Sequence, residues 1–157
     1  MATELVELVF DKIPDNLLNI LVANIIQSFN ILEIFHSELG KIVDLHNDHD
    51  FIKYLKSGPA PASIFITSNW AKIGKVKIRQ PLIRLLRFEQ INEVSIIFSN
   101  NDIDKIDAEN IIISLALGAK NLSQISHSYD YYCGYEPATD PKTRFFSKDT
   151  IGPLNKI

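Results

Sequence analysis

The sequence predicts a single α/β domain over residues 1–157, built on a mostly parallel central sheet with helices on both faces and one antiparallel pair. Three observations lead there. A length of 157 residues is that of one domain. A composition of 46% hydrophobic and 22% charged residues supports a packed core and excludes a disordered, collagen-like or coiled-coil chain. Short β-favouring runs alternate with helix-period segments, which is the pattern of crossover-connected strands.

Residues 5–10, Leu-Val-Glu-Leu-Val-Phe, read as the first strand. Pro14 is placed to open a helix over 14–29, because Leu17, Leu18, Leu21, Val22, Ile25, Ile26 and Phe29 recur three and four apart. Residues 31–35 and 41–45 are strand candidates joined at 37–40, with Gly40 as the permissive turn residue; this is the expected antiparallel pair. Asp48 is placed to cap a short helix carrying Phe51, Ile52 and Leu55, which Gly58-Pro59-Ala60-Pro61 stops. Residues 62–67 form a continuous apolar run too short for a helix, as expected of a strand buried on both faces.

A basic, poorly periodic stretch follows to Gln80. Pro81 then opens a second helix, with Leu82, Leu85 and Leu86 on one side and Arg84 and Arg87 on another. Residues 94–98 read as a buried strand. Asp107 is placed to cap a helix running to about Leu117, with the β-branched triple Ile111-Ile112-Ile113 leaving strand as a competing reading. Gly118 is expected to end that helix and residues 121–126 to form a strand. Residues 128–157 read as a loop-rich C-terminal segment with one edge strand at 143–147.

The formal net charge of −3 argues against a protein that coats nucleic acid by bulk charge. The charge is uneven: residues 1–60 hold 4 basic and 9 acidic side chains, residues 61–100 hold 6 and 2. Cys133, the single cysteine, has no partner within the chain for a disulfide, which fits a reducing compartment. No apolar run approaches the roughly 18 residues that cross a bilayer. The first residues place acids where a signal peptide has basic ones, so a cytoplasmic location is expected and no membrane partner. No nucleophile elbow, phosphate-cradling loop or dinucleotide fingerprint is present, and no cofactor is expected.

Three segments are candidate sites. Asp44, His46, Asp48, His49 and Asp50 gather at a predicted strand-to-helix junction. The order Asp44-x-His46-x-Asp48-His49 resembles the histidine motif of metallo-β-lactamase-fold hydrolases with Asp in place of the first His. That resemblance implies a metal held by Asp44, His46 and His49 that lowers the pKa of bound water. A polar strand end before an Asp-capped helix accounts for the same residues. Lys72, Lys75, Lys77, Arg79, Arg84 and Arg87 follow one another with no intervening acid, a candidate phosphate or nucleic-acid site if they share a face, and otherwise a solvated connector and helix side.

The third segment, Tyr129-Asp130-Tyr131-Tyr132-Cys133-Gly134-Tyr135-Glu136, concentrates four tyrosines and two acids. Phenol rings offer large contact area at small entropic cost, and interspersed acids complement a basic partner. The competing reading is an edge strand whose rings alternate between core and solvent. Cys133 with His127 lacks an orienting acid, and His36 reads as a strand-end residue.

A small acidic chain without a catalytic set favours a non-enzymatic protein-binding module. The expected kind is a cytoplasmic immunity protein or antitoxin that masks the basic active face of a toxin, such as a nuclease. Tyr129, Asp130, Tyr131, Tyr132, Tyr135, Glu136 and Asp140 are the expected partner-binding residues, facing outward. The alternatives are a metal-dependent hydrolase at Asp44, His46 and His49, or a nucleic-acid-binding protein using Lys72 to Arg87.

Overall fold

A computed structural model of the chain describes residues 3–38, 40–41, 50–57, 61–104, 110–125 and 130–157. In order, the elements are β1 (Leu5–Ile13), α1 (Asp15–Ile26), β2 (Phe29–His36), β3 (Gly40–Lys41), α2 (Phe51–Lys56), β4 (Ala62–Ile73), β5 (Val76–Arg79), β6 (Leu82–Phe88), β7 (Ile91–Ser99), α3 (Ile111–Ile125), β8 (Asp130–Tyr135), β9 (Arg144–Ser147) and β10 (Thr150–Ile151). Short 3-10 turns lie at Asn100–Asp102 and Pro141–Thr143.

Among the described residues ten strands join in one sheet of order β10-β9-β8-β1-β7-β6-β4-β2-β3, with β5 pairing β4 off this path. Every one of these pairings is antiparallel. The expected mostly parallel sheet is therefore overturned, and the segment after Pro81 shows why. Leu82, Leu85 and Leu86 imitate helical spacing, yet Ile83 and Leu85 are buried with half-buried residues between them, a period of two. The chain then reverses through Glu89 and Gln90, both at positive φ (50° and 70°), as a two-residue hairpin requires. The stretch before Pro81 is likewise a hairpin, β4 to β5, turning at Gly74 with φ +60°. Strands joined by such two-residue turns must run in opposite directions.

Helices on both faces are overturned as well. Leu18, Leu21, Val22 and Ile25 of α1, Phe51 and Leu55 of α2, and Ile112, Leu115 and Ala119 of α3 all enter one core. That core also holds Val6, Leu8 and Phe10 of β1, Ile64 and Ile66 of β4, Ile83 and Leu85 of β6, and Val94, Ile96 and Phe98 of β7. The three helices thus cover the sheet face to which these alternate residues point. On the other face Ser63 and Phe65 are half-buried and Thr67 is exposed, so β4 is not buried on both sides.

Two smaller expectations also change. Gly118 does not stop α3, which runs through it to Ile125. A Cβ on Gly118 would lie 2.5 Å from the Gly74 nitrogen, so this glycine permits close approach of helix and hairpin. Residues 121–125, expected as strand, are the end of that helix. α2 is capped by Asp50, whose carboxylate accepts from the Lys53 amide at 3.3 Å and from Asn19 Nδ2 at 3.0 Å. The expected cap Asp48, and Asp107 before α3, lie outside the described residues.

The segment expected to be loop-rich supplies β8, β9 and β10. β8 joins the sheet because Tyr131 and Cys133 alternate into the core beside Phe10 and Leu8 of β1. Among the described residues no helix is long and apolar enough to cross a membrane.

Candidate functional site

β1 alternates, so Val6, Leu8 and Phe10 face the helices and Glu7, Val9 and Asp11 face the other way. On that helix-free side, β8 places Gly134 opposite Glu7, Tyr132 opposite Val9 and Asp130 opposite Asp11. The chain after β8 folds back over this end of the sheet. The Ala138 amide donates to Glu7 Oε1 at 2.7 Å, and Ala138 is buried against Val9 and Tyr132. Arg144 stacks its guanidinium 4.2 Å from the Tyr132 ring centre and donates from Nε to the Ala138 carbonyl at 2.8 Å. Asp140 accepts from the Lys142 amide at 3.0 Å and fixes the following turn. Beside this cover lies a cavity of about 360 Å³ lined by Asp11, Asp130, Tyr132, Arg144, Lys148 and Asp149 among others.

The expected outward tyrosines are corrected by this packing. Tyr131 and Tyr132 are only 5% and 8% exposed, and Tyr135 is half-buried. Tyr131 points to the helix side, 6.0 Å from Phe10 and 6.4 Å from Phe146 between ring centres, and Tyr135 meets Phe145 edge-on at 4.8 Å. Tyr132 points to the helix-free side but is roofed by Ala138 and Arg144. Burial raises the pKa of Tyr131 and Tyr135; burial and the charges of Glu93, Asp11 and Glu7 raise Tyr132 to about 12. All three phenols stay protonated at neutral pH. Asp130, Glu136 and Asp140 are exposed, whereas Tyr129 lies outside the described residues.

The six cations divide. Lys72, Lys77 and Arg79 stand on one exposed side of the β4–β5 hairpin with Trp70, and Lys75 is exposed in its turn. Arg84 is half-buried and 3.8 Å from Glu93. Arg87 faces the helices, 2.6 Å from Asp15. Residues three apart share a helix face but take opposite faces of a strand, which is why Arg84 and Arg87 part company.

Of the remaining candidates, Cys133 and His36 are among the described residues. Cys133 is fully buried, and burial, then the charge of Glu7, pushes its thiol far up, so the nucleophilic thiolate is suppressed. His127 lies outside the described residues. His36 accepts from the Glu38 amide at Nδ1 (3.0 Å), so Nε2 carries the proton donated to the Tyr54 carbonyl at 2.9 Å, tying β2 to α2. Asp44, His46 and His49 lie outside the described residues; among those described, no three His, Cys, Asp or Glu side chains gather to hold a metal.

Glu7 and Arg144 organise this end of the sheet, and sequence reading passed over both. An acid inside the apolar run Leu-Val-Glu-Leu-Val-Phe was the available signal for Glu7. Glu7→Ala is expected to cost about 1–3 kcal/mol by stranding the Ala138 amide. It should also speed tryptic cleavage after Lys142, since residues 136–143 lose their anchor. Denaturant unfolding and limited proteolysis check this; a cleavage rate equal to that of the unmodified chain would show that Glu7 does not hold the segment.

A family model described as PABL017 Cdi1I immunity protein matches residues 4–151. A chain of the 1.75 Å crystal structure of the toxic C-terminal tip of CdiA from Pseudomonas aeruginosa in complex with immune protein shares the fold at a TM-score of 0.79. The two are 22% identical, over 98% of this chain and 99% of that one. No curated protein matches.

Proposed function

The chain belongs to the PABL017 Cdi1I immunity protein family and is a toxin-neutralising immunity protein, and we propose that its target is the toxic C-terminal tip of a CdiA-type protein. The observation that carries this reading is a family match over residues 4–151 together with a fold shared with a chain solved in a complex of such a tip with its immune protein. It acts by occupying the toxin's surface in the cytoplasm, where the toxin would do its damage. The toxin face is basic, as in a nuclease. The exposed carboxylates of Asp130, Glu136 and Asp140 steer it in, helped by Asp11 and Asp149 at the cavity rim. Tyr132 forms part of the rigid floor on the side of these acids, while Tyr131 and Tyr135 brace β8 from the helix side.

The test uses the toxic C-terminal tip of a CdiA-type protein from the same genome as this chain. Co-expression should abolish growth arrest by that domain, and the purified pair should form a stable complex on size exclusion. No rescue and no complex would overturn the reading. Replacing Asp130 and Glu136 by Ala and Asp140 by Asn, which keeps the turn cap, should slow association about tenfold and flatten its dependence on salt. An unchanged association rate would remove the steering role from these acids and leave neutralisation standing.

A further inference from the structure

The helix-free face continues well beyond the acidic end. Val9, Ser95, Arg84, Phe65 and Phe35 stand directly opposite one another in a row across β1, β7, β6, β4 and β2. At strand spacing this row is roughly 19 Å long. A second row, Glu7, Ile97, Leu82, Thr67 and Glu33, runs beside it. Phe35 is 44% exposed, and Phe65, Leu82, Leu86 and Ile97 are half-buried with no helix above them among the described residues.

Within β4 the pairing to β2 shifts between Ser68 and Ala71, so the side-chain alternation changes phase. Ala71 and Ile73 then turn into the core, towards α3, and Trp70 and Lys72 turn to the helix-free side. Across the hairpin Arg79 stands opposite Trp70, and Lys77 opposite Lys72, with the Lys77 ammonium 5.5 Å from the indole centre. Trp70 is 42% exposed. Among the described residues Lys72, Lys75 and Lys77 form no ion pair. Two ammonium groups directly opposite are unfavourable for the hairpin itself.

The hairpin is nonetheless braced from behind. Gly74 lies against Gly118, the Lys75 amide donates to Ser114 Oγ at 2.9 Å, Ile78 bridges to Ile103, and Arg79 Nη2 donates to the Asn101 carbonyl at 2.8 Å. In this pre-organised aromatic and cationic tip Arg79 has Asp102 at 3.9 Å, while Lys72, Lys75 and Lys77 carry no ion pair among the described residues, which is the character of a binding anchor.

Resting on the immunity reading above, we propose that the toxin docks across the helix-free face left open beside the 136–144 cover, with its carboxylates on Lys72, Lys77 and Arg79 around Trp70 and its cations on the acidic end at Asp11, Glu93 and Asp130. Cations on the β4–β5 hairpin and acids at the β1–β8 end, with Phe65, Leu82, Leu86 and Ile97 between them, fix the orientation of a protein partner of inverse polarity. They suit a nucleic acid poorly, because a strand laid along the same face runs from cations onto carboxylates.

The probe is the same toxin domain, with affinity and rates measured against the unmodified chain and three variants. Lys72→Glu/Lys77→Glu should weaken binding about 100-fold and Trp70→Ala about 30-fold, while Lys120→Glu on the exposed side of α3 changes affinity less than about threefold. Unchanged circular dichroism and thermal midpoints would show that the variants fold. As a check that needs no variant, deuterium uptake at residues 70–79 of the unmodified chain should slow in the complex. Affinities within about threefold for both hairpin variants, with no protection at 70–79, would overturn the inference while leaving the immunity function intact. Failure of the unmodified chain to bind would overturn both. Retention of a ~20-nucleotide RNA that the Lys72→Glu/Lys77→Glu pair loses, with toxin affinity unaltered, would also overturn it in favour of a nucleic-acid surface.

Discussion

Gly118→Ala is expected to destabilise the protein by about 2–3 kcal/mol, against the sign that helix propensity alone gives. In an exposed helix interior the change would favour folding by about 1 kcal/mol. Here the new Cβ would sit 2.5 Å from the Gly74 nitrogen, 2.9 Å from Ile73 Cγ2 and 3.1 Å from the Gly74 Cα. The flexible end of Ile73 can move; the turn backbone cannot do so cheaply. Gly74 itself holds φ +60°, and a Cβ there would meet the Ser114 carbonyl oxygen at 2.3 Å. Relief must come from separating α3 from the hairpin, which loosens Ile73, Leu115 and Ala119 in the core and strains the Lys75 to Ser114 hydrogen bond.

Thermal unfolding should fall by roughly 5–12 °C for a chain of this size. A midpoint equal to or above that of the unmodified protein would show that helix and hairpin do not meet at these two glycines. Because the displaced hairpin carries Trp70, Lys72 and Lys77, toxin affinity should drop further than in an equally destabilised variant altered within α1.

The elements legible in the sequence were those whose pattern is strictly local. The spacing of Leu18, Leu21, Val22 and Ile25 gave α1, the run around Leu8 gave β1, and Gly40 marked a reversal that the pairing of His36 with Gly40 confirms. What misled was apolar spacing that satisfies both periods. Leu82, Leu85 and Leu86 fit a helix until Ile83 is counted on the buried side, and one helix misread as a crossover turns an antiparallel meander into a parallel sheet. The same error kept Arg84 and Arg87 together.

Gly118 misled for a different reason. A glycine needed for contact with a segment about 44 residues away cannot be told locally from a helix stop. The immunity function was legible from size, acidity and the absence of a catalytic set. Its surface was only half so: the acids of residues 130–140 are exposed, but the rings beside them pack inward because β8 is not an edge strand; it lies between β1 and β9.

Asp15 should be the most pH-sensitive contributor to stability. It opens α1, where a carboxylate also favours the helix dipole. Its Oδ1 accepts from Arg87 at 2.6 Å and from Asn92 Nδ2 at 2.7 Å, and Lys56 lies 3.1 Å from Oδ2. Asn92, fully buried, links the site to the Ile13 carbonyl at 3.0 Å and to Arg87 through its own oxygen at 2.9 Å. Burial acts to raise the Asp15 pKa, and the hydrogen bonds from Arg87, Asn92 and Lys56 outweigh it, lowering the pKa to about 2.

A carboxyl group with a folded pKa below its unfolded value of 3.8 contributes stability that is complete above that value and lost as the pH falls towards 2. The side chain is 38% exposed, so solvent screening limits this charge-dependent part to about 1 kcal/mol. Asp15→Asn should therefore cost more at pH 7 than at pH 2, and the gap in unfolding free energy should close across that interval. Asp15→Ala is expected to cost about 3 kcal/mol at neutral pH, because it strands the guanidinium of Arg87, whose side chain is only 12% exposed. Arg87→Met should cost less, about 1–2 kcal/mol, since Asp15 keeps Lys56 and water. Urea unfolding of the three variants from neutral to acid pH checks the order; a penalty for Asp15→Asn that stays flat with pH would show that the carboxylate's charge contributes nothing to holding α1, β6 and β7 together.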